Sequence, residues 1–241
     1  MECNRLFAGW INMGTHYGCR IRKDFKRPDP TLVARFEGMP VANIDDNMQR
    51  IAAVDAAIKP VGYKGPMVGV AFTIRVAQGD NLMLHAAMDL AKPGDIIVID
   101  AGGFEDRAIF GELMATYMKT RGIKGVICDG AIRDYGGLAA LEDFRVYARS
   151  ATPNGPYKNG PGEINEPVMC GGKMVYPGDI VVADDDGVLF IRPEDAEALI
   201  AATEAVEAKE ADIMKHILED GTYIRPWVEK KLTEIGCEIV N

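Results

Sequence analysis

Two uninterrupted apolar runs, IIVIDAGG (96–103) and KGVICDG (124–130), flank a stretch of helix formers, GELMATYMKTRG (111–122), and this order restricts the fold more than any other feature. Neither run alternates polar with apolar residues, so each predicts a strand buried on both faces. Gly122 stands at the C′ position that helices favour for glycine. A strand, helix and strand of these lengths pair in parallel through a right-handed crossover. The expected class is therefore α/β, with the loops after both strands on one edge of the sheet, where such proteins bind ligands.

The flanking segments are less regular. Asp29-Pro30 predicts the start of a short helix, and VANIDDNMQRIAAVDAAIKP predicts a second over 41–58, stopped before Pro60. GPMVGVAFTIRVAQGD gives a strand closed by a turn at Gly79-Asp80. The helix after it, halted at Pro93-Gly94, offers Leu82, Leu84, Ala86, Leu90 and Ala91 to a core. A short helical piece, GLAALEDF, a strand at RVYARS and a Gly/Pro-rich loop at 152–163 follow. Turns at Pro177-Gly178-Asp179 and Asp186-Gly187 predict hairpins, so DDDG is a turn before it is a metal site. From Pro193 to Asp220 the pattern is one long amphipathic helix capped by Gly221, and PWVEKKLTEIG adds a shorter one.

Composition excludes several classes of function. A net charge of −9 leaves no basic surface for nucleic acid. No window reaches the ~18 apolar residues of a membrane span, and the N-terminus does not read as a signal peptide, so a cytoplasmic location is expected. The five cysteines never form a CxxC pair, which argues against a disulfide framework or structural zinc. An acidic chain that binds an anionic ligand must supply local positive potential from a metal, an arginine or a helix end.

The ligand-binding edge has those means. The backbone N–H groups of Gly111, Glu112, Leu113 and Met114 open a helix and form an anion site. The loop after Asp129-Gly130 brings Arg133 and Asp134 to the same edge. Arg133 can give two parallel hydrogen bonds to a carboxylate or an enolate. Asp134 suits a hard divalent ion that keeps most of its waters, and Glu112 could hold one of those waters. An Arg-Asp pair on a loop is otherwise a surface ion pair, and a first-turn glutamate otherwise only complements the helix dipole. His85, on an apolar helical face, reads as a satisfied packing residue.

FGELMATYMKTRGIKGVICDGAIRD (110–134), GDNLMLHAAMDLAKPGDIIVID (79–100) and PGDIVVADDDGVLFI (177–191) together resemble the RraA-like family of class II pyruvate aldolases. The family pattern is an acidic residue, twenty intervening residues and Arg-Asp. Here it falls on Glu112, Arg133 and Asp134, with glutamate where many members have aspartate. The resemblance covers 24–192 and implies a swivelling β/β/α domain there; residues 1–23, which match nothing in the family, are expected to form an N-terminal arm, and 193–241 a helical C-terminal extension. It implies cleavage of a 4-hydroxy-2-oxo di- or tricarboxylic acid to pyruvate and a 2-oxo acid, with oxaloacetate decarboxylation as a side activity. The backbone of Gly111 to Met114 would hold the pyruvate carboxylate, Arg133 the keto oxygen and Asp134 a Mg²⁺ or Mn²⁺ ion. Glu112, and Glu219 or Asp220 from a neighbouring subunit of a homotrimer or homohexamer, would act on the metal through water. The alternative within the family is a non-catalytic regulator that binds a ribonuclease; a third label attached to relatives, methyltransferase, has no glycine-rich cofactor loop to support it.

Overall fold

The computed structural model describes residues 16–62 and 65–240. In chain order the elements are β1 (Cys19–Ile21), α1 (Pro30–Ala34), α2 (Val41–Asn47), β2 (Lys59–Pro60), β3 (Met67–Val76), α3 (Leu82–Leu90), β4 (Asp95–Ala108), α4 (Glu112–Thr120) and β5 (Gly125–Ile132). They continue with α5 (Tyr135–Ala140), β6 (Arg145–Ala151), β7 (Gly162–Ile164), β8 (Val168–Cys170), β9 (Lys173–Val175), β10 (Ile180–Ala183), β11 (Val188–Ile191), α6 (Ala196–Asp220) and α7 (Pro226–Glu234). The main sheet runs β1-β7-β3-β4-β5-β6-β2, and β10 joins it by pairing antiparallel with both β3 and β11. Its centre is parallel, β3 with β4, β4 with β5 and β5 with β6, as the apolar runs require. Among the described residues, no helix is long and apolar enough to cross a membrane.

Alternation along the central strands separates the layers, because successive side chains point to opposite faces. Ile97, Ile99, Val126, Cys128 and Val146 pack with Leu84, Ala87, Ala115, Met118 and Leu138 of α3, α4 and α5. Ile96, Val98, Ile127 and Tyr147 face the other way, onto Val168, Val175, Val181 and Val188 of the smaller strands. The result is strand layer, strand layer and helix layer, the expected β/β/α arrangement. A third cluster joins α1, α2 and α6 to β10 and β11 through Phe36, Ile44, Ile180, Leu189 and Ile200. Ile99 is fully buried in the helix-side core. Ile99→Ala should cost about 2–5 kcal/mol, read as a lower denaturation midpoint in urea.

Four local expectations change. The helix expected over 41–58 stops at Asn47. There the Asp45 carboxylate accepts hydrogen bonds from the backbone of Ala52 and Ala53, at 3.0 and 3.1 Å, and this side-chain capture turns the chain away. β4 runs on past Gly102-Gly103 to Ala108, because both glycines take the left-handed region and bend the strand through a bulge instead of ending it. The turn at Pro177–Asp179 links β9 to β10 but does not pair them as a hairpin. It docks on β3, with Ala71 N donating to Asp179 O and Gly178 N to Ala71 O, while β9 pairs with β8. Finally, α3 buries Met83, Leu84, Ala87 and Met88 and exposes Leu82, because Met83 packs over Gly162 of β7.

Three further local expectations stand. Asp29 caps α1 through Thr31 N, the DDDG turn closes the β10–β11 hairpin, and Gly221 ends α6 in the left-handed region. Of the N-terminal arm, residues 1–15 lie outside the described residues, and Cys19–Ile21 adds a strand parallel to β7 at the sheet edge.

Cys128 and Cys170 are buried free thiols, and Cys19 and Cys237 are exposed; Cys3 lies outside the described residues. Burial pushes the Cys128 and Cys170 thiols up, with nearby Asp129 adding to the effect. An aromatic disulfide reagent at pH 8 should therefore label Cys19 and Cys237 in the folded protein, and Cys128 and Cys170 only after denaturation.

Candidate active site

The C-terminal ends of β4 and β5 carry the expected constellation. Gly111 precedes α4 in extended backbone, and a Cβ at this position would collide with the Asp134 carboxylate. Glycine is required here so that the loop carboxylate can reach the helix end. Asp134 Oδ2 then accepts a hydrogen bond of 3.1 Å from the Glu112 backbone N–H. Arg133 N donates to Phe110 O at 2.9 Å, which ties the two loops together a second time.

Asp134 itself adopts the left-handed conformation, with φ 58° and ψ 41°. Aspartate is among the few residues other than glycine that visit this region, at some conformational cost. Strain of this kind gathers at functional sites. The Arg133 and Asp134 side chains remain 46% and 47% exposed, with Nε 3.9 Å from Oδ2, so their mutual pairing is loose and both are free to meet a ligand.

Of the four amides at the start of α4, Glu112 N is taken by Asp134. Leu113 N and Met114 N have no hydrogen-bond partner among the described residues and stay open to an anion. The expected anion site is therefore narrower by one amide, which the protein's own carboxylate occupies. The Leu113 side chain, 86% exposed, forms an apolar rim.

A cavity of about 340 Å³ opens beside this helix end, bounded by Gly111, Leu113, Met114, Arg133 and Asp134. Its far wall is Asn81, His85, Gly155, Pro156 and Lys158. The 152–158 loop is held over the strand ends by Asn154 O accepting from Ala108 N at 2.9 Å and by Arg107 Nη1 donating to Gly155 O at 3.0 Å. Glu112 does not line this cavity. Its carboxylate turns toward α5, where a Cβ on Gly137 would strike it, so Glu112 and Asp134 bracket the first turn of α5.

Glu219 and Asp220 lie at the exposed end of α6, where Asp220 pairs with His216 at 2.8 Å. No hydrogen bond or ion pair among the described residues links them to Arg133 or Asp134 within one chain. Asp129, three residues before the last residue of β5, points to the opposite face and is committed to Arg149 and to Gly171 N.

Sequence reasoning missed the far wall. The Asn81 side chain donates through Nδ2 to Ile109 O at 2.9 Å, yet its Oδ1 is buried without a partner, as is His85 Nε2. His85 is therefore not the satisfied packing residue expected. The available signal was the spacing of Asn81 and His85, which puts both on one face of α3 at the ligand-binding edge.

The donor set can be weighed against a metal ion. Among the described residues no three His, Cys, Asp or Glu side chains cluster as a protein cage. The exposed Asp134 carboxylate, with Oδ1 free, fits a hard ion such as Mg²⁺ that binds through few carboxylates and keeps its waters.

The RraA-like family (Aldolase/RraA) matches over residues 41–190. A Halalkalibacterium halodurans protein named "Putative 4-hydroxy-4-methyl-2-oxoglutarate aldolase" is 37% identical over 201 residues, 83% of this chain and 95% of that protein. The crystal structure of Streptomyces coelicolor RraAS2, described as an unusual member of the RNase ES inhibitor RraA protein family, superposes with a TM-score of 0.71 at 25% identity. That match covers 78% of this chain and 98% of the other. An uncharacterized protein from Pseudomonas syringae pv. tomato str. DC3000 has the same fold, with a TM-score of 0.73 at 22% identity over 83% of this chain and 98% of its own.

Proposed function

This chain belongs to the RraA-like family, and from that premise we propose that it is a divalent-metal-dependent pyruvate aldolase. It cleaves a 4-hydroxy-2-oxo di- or tricarboxylic acid to pyruvate and a second 2-oxo acid, and decarboxylates oxaloacetate as a side activity. The observation that carries this reading is the docking of the Asp134 carboxylate on the Glu112 amide, beside Arg133 and two open amides of α4. Such a site offers separate places for a carboxylate, a keto oxygen and a cation within one small cavity. The name of the H. halodurans relative points to the same chemistry.

In this mechanism the open amides of Leu113 and Met114, next to Gly111, hold the substrate carboxylate, aided by the partial positive charge of the helix end. Arg133 donates to the keto oxygen. A water held in the cavity takes the proton of the C4 hydroxyl; Glu112 can steady it only by turning back from Gly137 toward the cavity. The C3–C4 bond breaks, C4 becomes the carbonyl carbon of the leaving 2-oxo acid, and the electron pair enters the pyruvate enolate. Arg133 meets the negative charge that develops on the enolate oxygen. Loss of CO₂ from oxaloacetate ends in the same enolate.

A Mg²⁺ or Mn²⁺ ion, when bound, supplies Lewis acidity toward the 2-oxo acid. Asp134 would hold it directly, and Glu112 and either Glu219 or Asp220 of the partner subunit would act through water. The exposed apolar residues beyond the middle of α6, Met214, Leu218, Ile224 and Trp227, suit burial in a homotrimer or homohexamer.

The test is pyruvate release, coupled to lactate dehydrogenase, from oxaloacetate and from 4-hydroxy-4-methyl-2-oxoglutarate with Mg²⁺ or Mn²⁺. Turnover that EDTA removes and added metal restores is expected, and no release from either acid would overturn the proposal. A second reading, a regulator that binds a ribonuclease, draws on the likeness to S. coelicolor RraAS2. Inhibition of a ribonuclease of that class by a protein inert toward both acids would favour it.

A further inference from the structure

The far wall of the cavity holds two buried polar atoms without partners, Asn81 Oδ1 and His85 Nε2. Leaving such an atom unpaired costs about 1–3 kcal/mol, so native folds rarely keep two together without use. The orientation of Asn81 is fixed: Nδ2 donates to Ile109 O at 2.9 Å, and turning the amide over would set Oδ1 against that carbonyl. Asn81 therefore presents an acceptor that lacks a donor. Asn81 is only 2% exposed, and Asn81 N donates to Tyr157 O at 3.0 Å, so the backbone of this wall is anchored.

His85 follows one helical turn later, half-buried, with His85 N donating to Asn81 O at 3.1 Å. In the tautomer that carries its proton on Nε2, His85 sets a donor beside that acceptor, and a hydroxyl, which donates once and accepts as well, satisfies both. A carboxylate would repel Asn81 Oδ1. A keto group could not donate to it.

We infer that Asn81 and His85 form a hydroxyl-binding station that reads the C4 hydroxyl of a 4-hydroxy-2-oxo acid, an inference that rests on the aldolase reading above. The O–H donates to Asn81 Oδ1, and its oxygen accepts from His85 Nε2–H. Both atoms lie just beneath the cavity wall, so contact comes with a small side-chain adjustment as the acid enters. The O–H then swings from Asn81 to water and gives up its proton, and the oxygen keeps the His85 donor, which stabilises the charge on it until the C4 carbonyl forms. Oxaloacetate has no hydroxyl and gains nothing from the station.

The two reactions of the same enzyme therefore separate the role of the station from general damage to the site. His85→Ala should lower kcat/KM for 4-hydroxy-4-methyl-2-oxoglutarate by roughly 10² relative to its effect on oxaloacetate, the usual cost of one charge-stabilising donor. His85→Gln, which restores an N–H on a side chain of similar reach, should recover at least about tenfold of that ratio. An equal fall in both reactions, or an unchanged ratio, in folded variants would overturn the inference while leaving the aldolase intact. Should His85→Ala fail to fold, His85→Phe, which keeps the bulk of the ring and removes the donor, decides in the same way: a ratio equal to that of the unaltered protein overturns it. Inactivity of the unaltered protein toward both acids would instead sink the aldolase reading, and the station with it.

Discussion

Asp134→Ala is expected to abolish metal-dependent pyruvate release, by roughly 10³-fold or more, because loss of the metal's several kcal/mol of charge stabilisation converts at about 1.4 kcal/mol per decade. The fold should survive. Asp134 contributes one hydrogen bond to the start of α4, and loss of such a cap costs about 1 kcal/mol. Asp134→Asn sharpens the comparison, since an amide oxygen can still accept from Glu112 N but brings no charge. If the carboxylate serves only to brace the two loops, Asp134→Asn will retain most of the activity, and the proposed site is then wrong. If it holds the ion, Asp134→Asn will be as inactive as Asp134→Ala with an unchanged melting temperature.

Arg133→Ala should lower kcat by roughly 10²–10³ with a smaller rise in KM, because the guanidinium meets more negative charge in the enolate than in the bound keto acid. Arg133→Lys keeps the charge and loses the planar fork, so an intermediate rate is expected. Arg133 is half exposed and has only a loose contact with Asp134, so neither substitution should disturb stability by more than about 0.5 kcal/mol. Steady-state kinetics on oxaloacetate measures both effects, and a loss confined to KM would move Arg133 from enolate stabilisation to simple substrate binding.

How much of this was legible in the sequence depends on whether the deciding interaction is local. The β4–α4–β5 unit could be read because its signals are runs and stops in consecutive residues, and they brought Gly111, Arg133 and Asp134 together correctly. The break after Asn47 could not be read from periodicity. It depends on one carboxylate, Asp45, reaching two amides seven and eight residues on. The turn at Gly178 has the local form of a hairpin, but β10 finds its partner in β3, more than a hundred residues earlier. The direction of the Glu112 side chain, toward Gly137 and away from the cavity, is likewise set by a contact between elements. His85 was misread for the same reason, because an apolar helical face shows where a side chain points and not whether its nitrogen finds a partner there.

The hydrogen bond from the Glu112 amide also limits Asp134 as a ligand. Were Asp134 to hold an ion as proposed, Oδ1 would be its free oxygen while Oδ2 already accepts a hydrogen bond, which would favour binding through one oxygen. Ca²⁺ gathers roughly six to eight oxygens and often takes both from a single carboxylate, whereas Mg²⁺ holds a compact octahedron in which one carboxylate oxygen and several waters suffice. A single backbone amide thus biases the choice of ion, and because that amide belongs to the main chain of α4, side-chain substitution at Glu112 leaves the bias in place.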